Sequence, residues 1–294
     1  MLQRSFRRIV SLLLIGLAGA ATPLSPKDEK VKVEDLVAKH LASIGTPEAL
    51  AAARNRVTSG TVQLIFRLGN QGQLDGKSNI LSEGRLVRIG MNFAAQQYAM
   101  EQLAYDGEKV TVAQIEPGRR SQFSAFVYQH DVLLKEGLLG GTITTAWALL
   151  DTAGRQPKIA YGGIKKFEGK QLYELKYKAR KGQGDLQVSL YLEPETHRHL
   201  ASQYRLSQPP PMAAAPTATP GFEPTGSGRL KDTIYTIVEQ FGDFKSVDSL
   251  MLPHSCKMVF TLETQEQTFL TEWNIAITQV AHNAQMDPKY FVVQ

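Results

Sequence analysis

The feature that most constrains the fold is an alternation of apolar and polar residues with a period of two, which recurs along much of the chain. Successive side chains of a β-strand point to opposite faces, so this period is typical of strands that bury one face. The apolar members of the alternating segments are Val62, Leu64, Phe66 and Leu68; Val87, Ile89, Met91 and Phe93; Tyr173, Leu175 and Tyr177; Leu186, Val188, Leu190 and Leu192; Cys256, Met258, Phe260 and Leu262; and Phe269, Trp273, Ile275 and Ile277.

Short turn signals lie between and within these segments. They are the pairs Asp75-Gly76, Glu83-Gly84, Asp106-Gly107 and Glu168-Gly169. Strands joined by such tight connections are antiparallel neighbours. We therefore expect a mainly β fold, a meander of roughly ten or more antiparallel strands that curls on itself to protect its edges.

Two helices are predicted before the first strand. Apolar residues recur at helical spacing over residues 33–45, where a glycine ends the pattern. Thr46 and Pro47 then form an N-cap and a first-turn proline, which begin a short Ala-rich helix ending near Arg54. His40 lies on the apolar stripe of the first helix, so we expect a partly buried histidine whose polar atoms have partners.

A helical insertion, residues 131–151, interrupts the meander. Asp131 can cap a helical turn that carries several leucines, Gly140-Gly141 break that turn, and Thr142 can cap a second helix. The pattern is equally consistent with a mobile lid over a cavity and with a fixed plug of the core. The residues on one face of the second helix would be Ile143, Ala146, Trp147 and Leu150.

A curled sheet with one apolar face and an apolar helical cover can enclose a cavity for a hydrophobic ligand. The sequence thus predicts an apolar ligand-binding site between the sheet and the insertion. Its candidate residues are Leu64, Phe66, Ile89, Met91, Phe93, Leu134, Leu138, Ile143, Trp147 and Leu150.

The first 21 residues have the layout of a secretory signal peptide. Arg4, Arg7 and Arg8 precede an apolar run at residues 9–17, and small residues follow at 18–21. The run is too short to span a bilayer as a helix, and no cysteine follows it to accept a lipid anchor. We therefore expect a mature protein that lies outside the cytoplasm and is not lipid-anchored.

The remaining chain is expected to form one domain. Residues 22–32 are polar and Pro-bearing, which predicts a flexible leader, and residues 33–294 would be the domain itself. Residues 208–228 are rich in Pro, Ala and Thr and hold few large apolar side chains, so we expect a disordered loop between two strands.

Charge and cysteine content exclude several classes of protein. The formal charge is +5, but without the three arginines of the signal peptide the balance is 30 Lys and Arg against 28 Asp and Glu. The basic character is therefore no evidence for nucleic acid binding. Cys256 is the only cysteine, which excludes an internal disulfide and a multi-cysteine metal site, and its alternation with Met258 predicts a buried thiol.

Catalytic and metal-binding motifs are absent from the sequence. There is no Gly-x-Ser-x-Gly, no His-Glu-x-x-His and no Gly-rich phosphate loop, so we expect no enzyme, no catalytic residues, no metal and no cofactor. His197 and His199 are two apart on a predicted strand face that continues with Gln203 and Arg205. No third ligand is near, so an exposed pair without a metal is expected.

Three short phrases carry a family resemblance. Residues 33–40, leading to 44–45 and 48–50, form an opening helix; residues 105–110 form a strand, a turn and a strand; residues 241–248 lead through a hairpin to Leu252-Pro253. In these phrases and in the order of elements the chain resembles the periplasmic lipoprotein carriers LolA and LolB and the broader outer-membrane lipoprotein-sorting-like proteins. The resemblance implies an unclosed barrel covered by helices, with an apolar cavity that holds acyl chains.

The expected function is therefore binding of a lipid or a lipoprotein acyl chain by a periplasmic monomer, without catalysis and without nucleic acid. The alternative is an interaction or envelope-sensing module of the same fold, whose sheet binds an envelope protein. A carrier needs a cavity deep enough for an acyl chain, whereas a module needs an exposed apolar edge.

Overall fold

The computed structural model describes residues 31–69, 71–210 and 231–293. The predicted signal peptide, residues 22–30 of the predicted leader and residues 211–228 of the predicted loop lie outside the described residues. Lys32–Gln294 forms one compact unit.

Two helices precede the sheet, as the sequence predicts. They are α1, Val33–Ile44, and α2, Pro47–Ala52. The Thr46 hydroxyl caps α2 by accepting a 3.2 Å hydrogen bond from the Ala49 amide. The buried residues of α1 recur every four positions, at Leu36, His40 and Ile44, so one face of the helix packs on the core. In the described ranges no helix is both long and apolar enough to cross a membrane.

A single sheet of 12 antiparallel strands makes up most of the described chain. Its order is β5-β4-β3-β2-β1-β12-β11-β10-β9-β8-β7-β6. The first strand in the chain, β1, therefore pairs with the last, β12, in the interior of the sheet. The edge strands β5 and β6 do not pair with each other in the described sheet, which confirms an unclosed antiparallel meander. The strands are β1 Asn55–Leu68, β2 Gly72–Glu83, β3 Leu86–Phe93, β4 Met100–Tyr105, β5 Val110–Val112, β6 Lys158–Phe167, β7 Lys170–Lys178, β8 Gln187–Leu192, β9 His199–Gln208, β10 Thr233–Val247, β11 Leu250–Glu263 and β12 Thr268–His282.

One of the predicted turns is wrong. Asp75 and Gly76 lie inside β2, where they pair with Gln63 and Val62 of β1. Gly76 allows β2 and β3 to approach closely and does not form a turn. A Cβ atom at this position would lie 2.3 Å from the Asn92 carbonyl oxygen of β3. The other three Gly-containing pairs do lie at connections between neighbouring strands.

The mid-chain insertion is less helical than predicted. It is preceded by α3, Gln122–Gln129, and contains only one α-helical turn, α4, Val132–Lys135. Single 3₁₀ turns follow at Gly141–Ile143 and Ala148–Asp151, and α5, Thr152–Arg155, ends the region. We call residues 131–151 the cover segment.

The predicted second helix of the cover segment is wrong. Thr144 and Trp147 have ψ values of 153° and 129°, which interrupt any helix there. Asp131 forms no capping hydrogen bond and pairs instead with Lys135 at 2.6 Å. The apolar residues at helical spacing over residues 143–150 are buried or partly buried, but the segment is not a helix. Its backbone forms contacts with the sheet in place of intrahelical hydrogen bonds.

The sheet wraps around the cover segment. Residues of four strands form hydrogen bonds with it: Arg56 of β1, Ser82 of β2, Tyr204 of β9 and Glu239 of β10. Strands this far apart in the sheet order reach one short segment only if the sheet is curved around it. The cover segment thus fills the concave side, where the main apolar core lies.

His199 does not lie on the solvated face that the sequence predicts. It is 1% exposed and faces the core, whereas Gln203 and Arg205 are only partly buried. The register of β8 and β9 shifts between Tyr191 and Leu192, so that Leu192 pairs with His199 but Tyr191 pairs with Ala201. An extra residue in one strand exchanges the two faces beyond it, and this bulge turns His199 inward.

Candidate functional site

The cover segment is fixed to the sheet by a buried arginine. Nη1 of Arg56 donates hydrogen bonds to the carbonyl oxygens of Thr142 at 2.7 Å and of Ile143 at 3.1 Å. Its Nε donates to Nε2 of His282 at 2.9 Å. Burial lowers the pKa of Arg56 to about 10, which leaves it a cation at neutral pH. Its charge is therefore directed at backbone carbonyls of the cover segment.

A buried carboxyl group holds the other side of the same segment. The Gly140 amide donates to Oε1 of Glu239 at 2.8 Å, and the Tyr204 hydroxyl lies 3.0 Å from Oε2 and 2.7 Å from the Leu138 carbonyl oxygen. Burial raises the pKa of Glu239 to about 7, although both hydrogen bonds act in the opposite direction. A protonated Glu239 also fits this geometry, since its hydroxyl can donate to Tyr204 while Tyr204 donates to Leu138.

Two histidines enclose the indole of Trp147. Its Nε1 donates to Nε2 of His40 at 2.9 Å, and its ring stacks on His199 with centroids 4.4 Å apart. His40 Nδ1 lies 3.0 Å from the His197 carbonyl oxygen, and His199 Nε2 lies 2.9 Å from the Ser202 hydroxyl. This confirms that His40 is a satisfied histidine, and shows that it is more deeply buried than predicted.

The space beneath the cover segment is nearly filled. The void enclosed between it and the sheet has a volume of about 10 Å³ and is lined by Ile89, Leu139, Ile143 and Met258 among others. A void of this size holds about one water molecule. In this conformation the cover segment packs as a plug.

The structure gathers all ten sequence-predicted site residues in the main apolar core. Eight of them are buried and two, Phe66 and Leu150, are partly buried and pack against the others. Phe66 also lines an open pocket. The eight buried residues are Leu64, Ile89, Met91, Phe93, Leu134, Leu138, Ile143 and Trp147.

That open pocket, which we call the mouth pocket, has a volume of about 620 Å³. It lies between the connection of β1 to β2, the connection of β3 to β4, the start of α3 and the inner face of the sheet. Its size is within the range of small-molecule sites, about 300 to 1,000 Å³. Its aromatic lining consists of Phe66, Tyr98, Phe123, Phe260 and Trp273.

The aromatic rings of the mouth pocket brace one another. Phe66 meets Tyr98 edge to face with centroids 5.5 Å apart, and Phe123 lies 4.9 Å from Trp273. Such pairs fix ring orientation beyond what area burial alone gives. The apolar lining is therefore preformed, and it continues into the core through Phe123, which also borders the void under the cover segment.

The rim of the mouth pocket is polar and cationic. It carries Arg119 and Arg120 together with the glutamines at 71, 73, 97 and 122. Arg119 is paired with Glu116 through a 2.9 Å contact, whereas Arg120 stacks on Tyr128 with its guanidinium carbon 4.3 Å from the ring centroid. An apolar interior with a polar entrance suits a ligand that is itself amphiphilic.

Two donors of the mouth pocket lack partners in the described part of the chain. They are the indole Nε1 of Trp273, which is 0% exposed, and Nε of Arg120. Buried donors in proteins are nearly always hydrogen-bonded. Both side chains belong to the pocket lining, although the two donor atoms themselves are closed to solvent.

A buried carboxyl group lies behind the pocket wall. Glu101 accepts hydrogen bonds from the hydroxyls of Tyr98 and Ser124, and burial raises its pKa. Burial and the neighbouring Glu101 also raise the pKa of the Tyr98 hydroxyl. The cluster holds the Tyr98 ring at the pocket wall and the capped start of α3 beside it.

The described residues provide neither a reactive thiol nor a cluster of metal ligands. Cys256 is buried, as predicted, and burial together with the neighbouring Glu239 raises the pKa of its thiol, so the thiolate nucleophile is disfavoured. In the described part of the chain no group of three or more His, Cys, Asp or Glu side chains could hold a metal ion.

Sequence reasoning did not find the mouth pocket, because its lining comes from six short stretches that are distant in the chain. The one local signal is Arg119-Arg120, which follows the Pro117-Gly118 turn and directly precedes the Ser121 cap of α3. A basic pair at the start of a helix is a weak signal by itself. The position of the aromatic residues becomes visible only in the fold.

No protein-family model matches the chain, and no curated protein matches it. Solved structures do match. One, described as an outer membrane lipoprotein-sorting protein domain from Vibrio parahaemolyticus, is 11% identical, with 87% of this chain and 94% of that chain covered and a TM-score of 0.44. A LolA superfamily protein from Nitrosomonas europaea is 10% identical, with 90% and 98% covered and a TM-score of 0.45.

A DUF1329 family protein from Desulfovibrio piger is 7% identical, with 88% of this chain and 96% of that chain covered and a TM-score of 0.40. The lipoprotein-sorting and LolA superfamily proteins to which the sequence resemblance points are thus among the structures similar to this chain.

Proposed function

We propose that this protein binds the acyl chain of a lipid or of a lipoprotein in the mouth pocket and does not catalyse a reaction on it. The observation that carries the proposal is the pocket itself, an open space of about 620 Å³ with an aromatic interior and a polar rim. An acyl chain would bury apolar surface against the rings while the polar end of the ligand stays at the entrance.

The protein is proposed to act in the periplasm, after removal of the signal peptide predicted from the first 21 residues. An acyl chain is poorly soluble there, and an open pocket with braced aromatic walls gives it a place outside the membrane. The cover segment has a supporting role in this proposal: its buried polar contacts hold the inner wall in place, so the pocket is available without any movement of the segment.

The alternative function, an interaction module, would use an open sheet edge. The longer edge strand is β6, which carries Lys158, Lys165 and Lys166 and a register shift between Tyr161 and Gly163. Charged side chains and bulges on an edge strand oppose pairing with another strand. These features of β6 argue against binding by strand addition, and we therefore favour the mouth pocket as the binding surface.

The experiment uses the two tryptophans as position markers. Trp273 lines the mouth pocket, and Trp147 is a buried residue of the cover segment itself. A monoacylglycerol with a brominated stearoyl chain should quench the fluorescence of the purified protein, because bromine quenches indoles at short range. Quenching should persist in Trp147→Phe, which keeps Trp273, and nearly vanish in Trp273→Phe.

A matched pair of variants tests the pocket independently. Phe66→Ala removes a ring from the pocket lining, whereas Phe167→Ala removes a partly buried ring that stacks on Tyr191 on the opposite face of the sheet. Affinity should fall in Phe66→Ala and stay unchanged in Phe167→Ala. Quenching of Trp147 instead of Trp273 would place the chain under the cover segment, and an absence of saturable quenching in every variant would refute acyl-chain binding.

A further inference from the structure

The charges around the mouth pocket are unbalanced. Among the described residues, its lining contains the cations Arg119 and Arg120 and no carboxylate. Two acidic groups beside these elements are already engaged: Glu116 pairs with Arg119, and Glu101 is buried and hydrogen-bonded to Tyr98 and Ser124. The entrance therefore presents positive charge to a ligand.

Arg120 carries most of that unbalanced charge. Tyr128 stacks on its guanidinium group and fixes its plane, and in the described part of the chain it forms no ion pair. Its Nε has no hydrogen-bond partner among the described residues. A guanidinium that is oriented by an aromatic ring and keeps free donors is suited to bind a phosphate or a carboxylate through two parallel hydrogen bonds.

The N-terminal end of α3 adds positive electrostatic potential at the entrance of the mouth pocket. Ser121, Gln122 and Phe123 all line the mouth pocket, so the N-terminal end of this eight-residue helix faces it. The Ser121 side chain caps the helix by accepting a hydrogen bond from the Ser124 amide. The partial positive charge of a helix N-terminus favours an anion there.

From this geometry we propose that the mouth pocket selects amphiphiles with an anionic headgroup, a phosphate or a carboxylate, and that Arg120 is the residue that contacts it. The proposal rests on the proposed function, since it assigns the headgroup of a ligand whose chain lies on the aromatic lining.

The location of Arg120 predicts how strongly the headgroup is held. Arg120 also borders a shallow groove beside β5, so an anion bound to it remains partly hydrated. A charge-assisted hydrogen bond in this setting contributes a factor of about ten or more in affinity. Because the site is open to solvent, that contribution should weaken as the salt concentration rises.

The test compares three ligands with the same brominated stearoyl chain: the neutral monoacylglycerol, the free carboxylate and the lysophosphatidate. All are titrated below their aggregation concentrations, at low and high salt, by quenching of tryptophan fluorescence. Wild type should bind the two anionic ligands about tenfold or more tightly than the neutral one, with the difference reduced at high salt.

Three variants test the role of Arg120. In Arg120→Gln the preference for anions and its salt dependence should disappear while affinity for the neutral ligand remains. Arg120→Lys should retain a reduced preference, because it keeps the charge without the planar pair of donors. The control is Arg198→Gln, since Arg198 also stacks on an aromatic ring, Phe244, but lies outside the pocket lining.

The outcomes separate the two proposals. Equal binding of neutral and anionic ligands, or an anion preference that survives in Arg120→Gln, overturns the headgroup assignment while leaving acyl-chain binding intact. Failure of all three ligands to bind overturns the proposed function. Between the anions, tighter binding of the lysophosphatidate identifies a phosphate source such as a phospholipid, and tighter binding of stearate identifies a free fatty acid.

Discussion

The indole N–H of Trp147 donates a 2.9 Å hydrogen bond to Nε2 of His40, and this contact joins the cover segment to α1 across the interior of the protein. His40 Nδ1 lies 3.0 Å from the His197 carbonyl oxygen and must donate its proton to it. The two contacts define a neutral imidazole with its proton on Nδ1. A buried histidine thus has both ring nitrogens satisfied only in one tautomer.

The energy of this contact can be measured by a double-mutant cycle. His40→Leu leaves a buried indole donor unpaired, and we expect a loss of about 2 to 4 kcal/mol of unfolding free energy. Trp147→Phe removes the donor and leaves His40 Nε2 unpaired. Urea unfolding of both single variants and of the double variant should give a coupling energy of about 1 kcal/mol or more, whereas additivity within about 0.5 kcal/mol would contradict the contact.

The same histidine predicts a loss of stability in acid. Burial lowers the pKa of His40 to about 4, below the value of about 6.5 expected in the unfolded chain. The unfolded state therefore binds a proton first as the pH falls, and the contribution of His40 is complete above pH ~6.5 and lost between there and pH ~4. The full effect is on the order of 3 kcal/mol.

The measurement is the urea midpoint of wild type and His40→Leu at several pH values across that range. Wild type should lose stability relative to the variant as the pH falls. The difference between the two proteins removes the contribution of the carboxyl groups that titrate in the same range, and reports on His40 together with its effect on His199, whose pKa is lowered by burial and by the neighbouring His40. Parallel pH profiles would show that His40 is not held neutral.

Glu239 predicts a pH dependence of opposite sign. Its pKa is raised to about 7 by burial, so the unfolded state loses its proton first and stability falls as the pH rises from about 4.5 to about 7. The neutral amide that Glu239→Gln introduces can still accept from the Gly140 amide and donate to Tyr204. We expect Glu239→Gln to match wild type near pH 4.5 and to exceed it at pH 8 by up to about 3 kcal/mol.

Urea unfolding of Glu239→Gln across this range tests the prediction, with Glu263→Gln as the control because Glu263 is an exposed carboxylate on the adjacent strand β11. A variant that is less stable than wild type at pH 8 would mean that the charged carboxylate is needed for the contacts with the cover segment.

Arg56 predicts a large local effect on the cover segment. Arg56→Leu removes the donors to the carbonyl oxygens of Thr142 and Ile143 and leaves these buried acceptors unpaired. We expect a loss of about 3 kcal/mol or more. The control is Lys245→Leu, since Lys245 and its partner Asp243 are both about half exposed and such pairs contribute about 1 kcal/mol or less.

Hydrogen exchange identifies where the loss occurs. Amides of residues 138–147 should exchange faster in Arg56→Leu than in wild type, while those of the central strands β1 and β12 change less. Uniform acceleration across the whole sheet would show that Arg56 stabilises the domain as a unit and does not hold the cover segment in particular.

The elements that could be predicted from the sequence are those with one buried face and local signals. The strand containing Cys256 and Met258 alternates because one face meets the core, and α2 follows a Thr cap and a first-turn proline. The strand β2 escapes prediction because its first half is polar and carries Asp75-Gly76, which the pattern favours as a turn. Its pairing with β1 and β3 determines its structure.

The candidate site could not be predicted for a related reason. His199 turns inward because of a bulge, and a bulge changes the phase of a strand without a local signal. The cover segment is held by Arg56, Glu239 and His40, which lie far from it in sequence. Arg120 lies about ten residues before the predicted insertion, and its position relative to Trp273 depends on how the sheet curves.

The last prediction concerns the tight approach of two backbone segments within the cover. Gly137 has a φ of +63°, and a Cβ atom there would lie 1.7 Å from the carbonyl oxygen of Ala146. That carbonyl oxygen also accepts a 3.1 Å hydrogen bond from Nη2 of Arg155. Gly137→Ala therefore adds both the strain of a left-handed backbone, about 1 to 2 kcal/mol, and a clash with a backbone atom that cannot move aside alone.

The matched control is Gly169→Ala, because Gly169 has a φ of +83° in the turn between β6 and β7 and a Cβ atom there would contact nothing within 4 Å. Gly169→Ala should lose only the stability that corresponds to the strain of the left-handed backbone. We expect Gly137→Ala to lose at least about 2 kcal/mol more than the control in urea unfolding and to release the Arg155 contact. Equal losses in the two variants would show that the cover segment yields at Gly137, as a mobile lid would and a fixed plug would not.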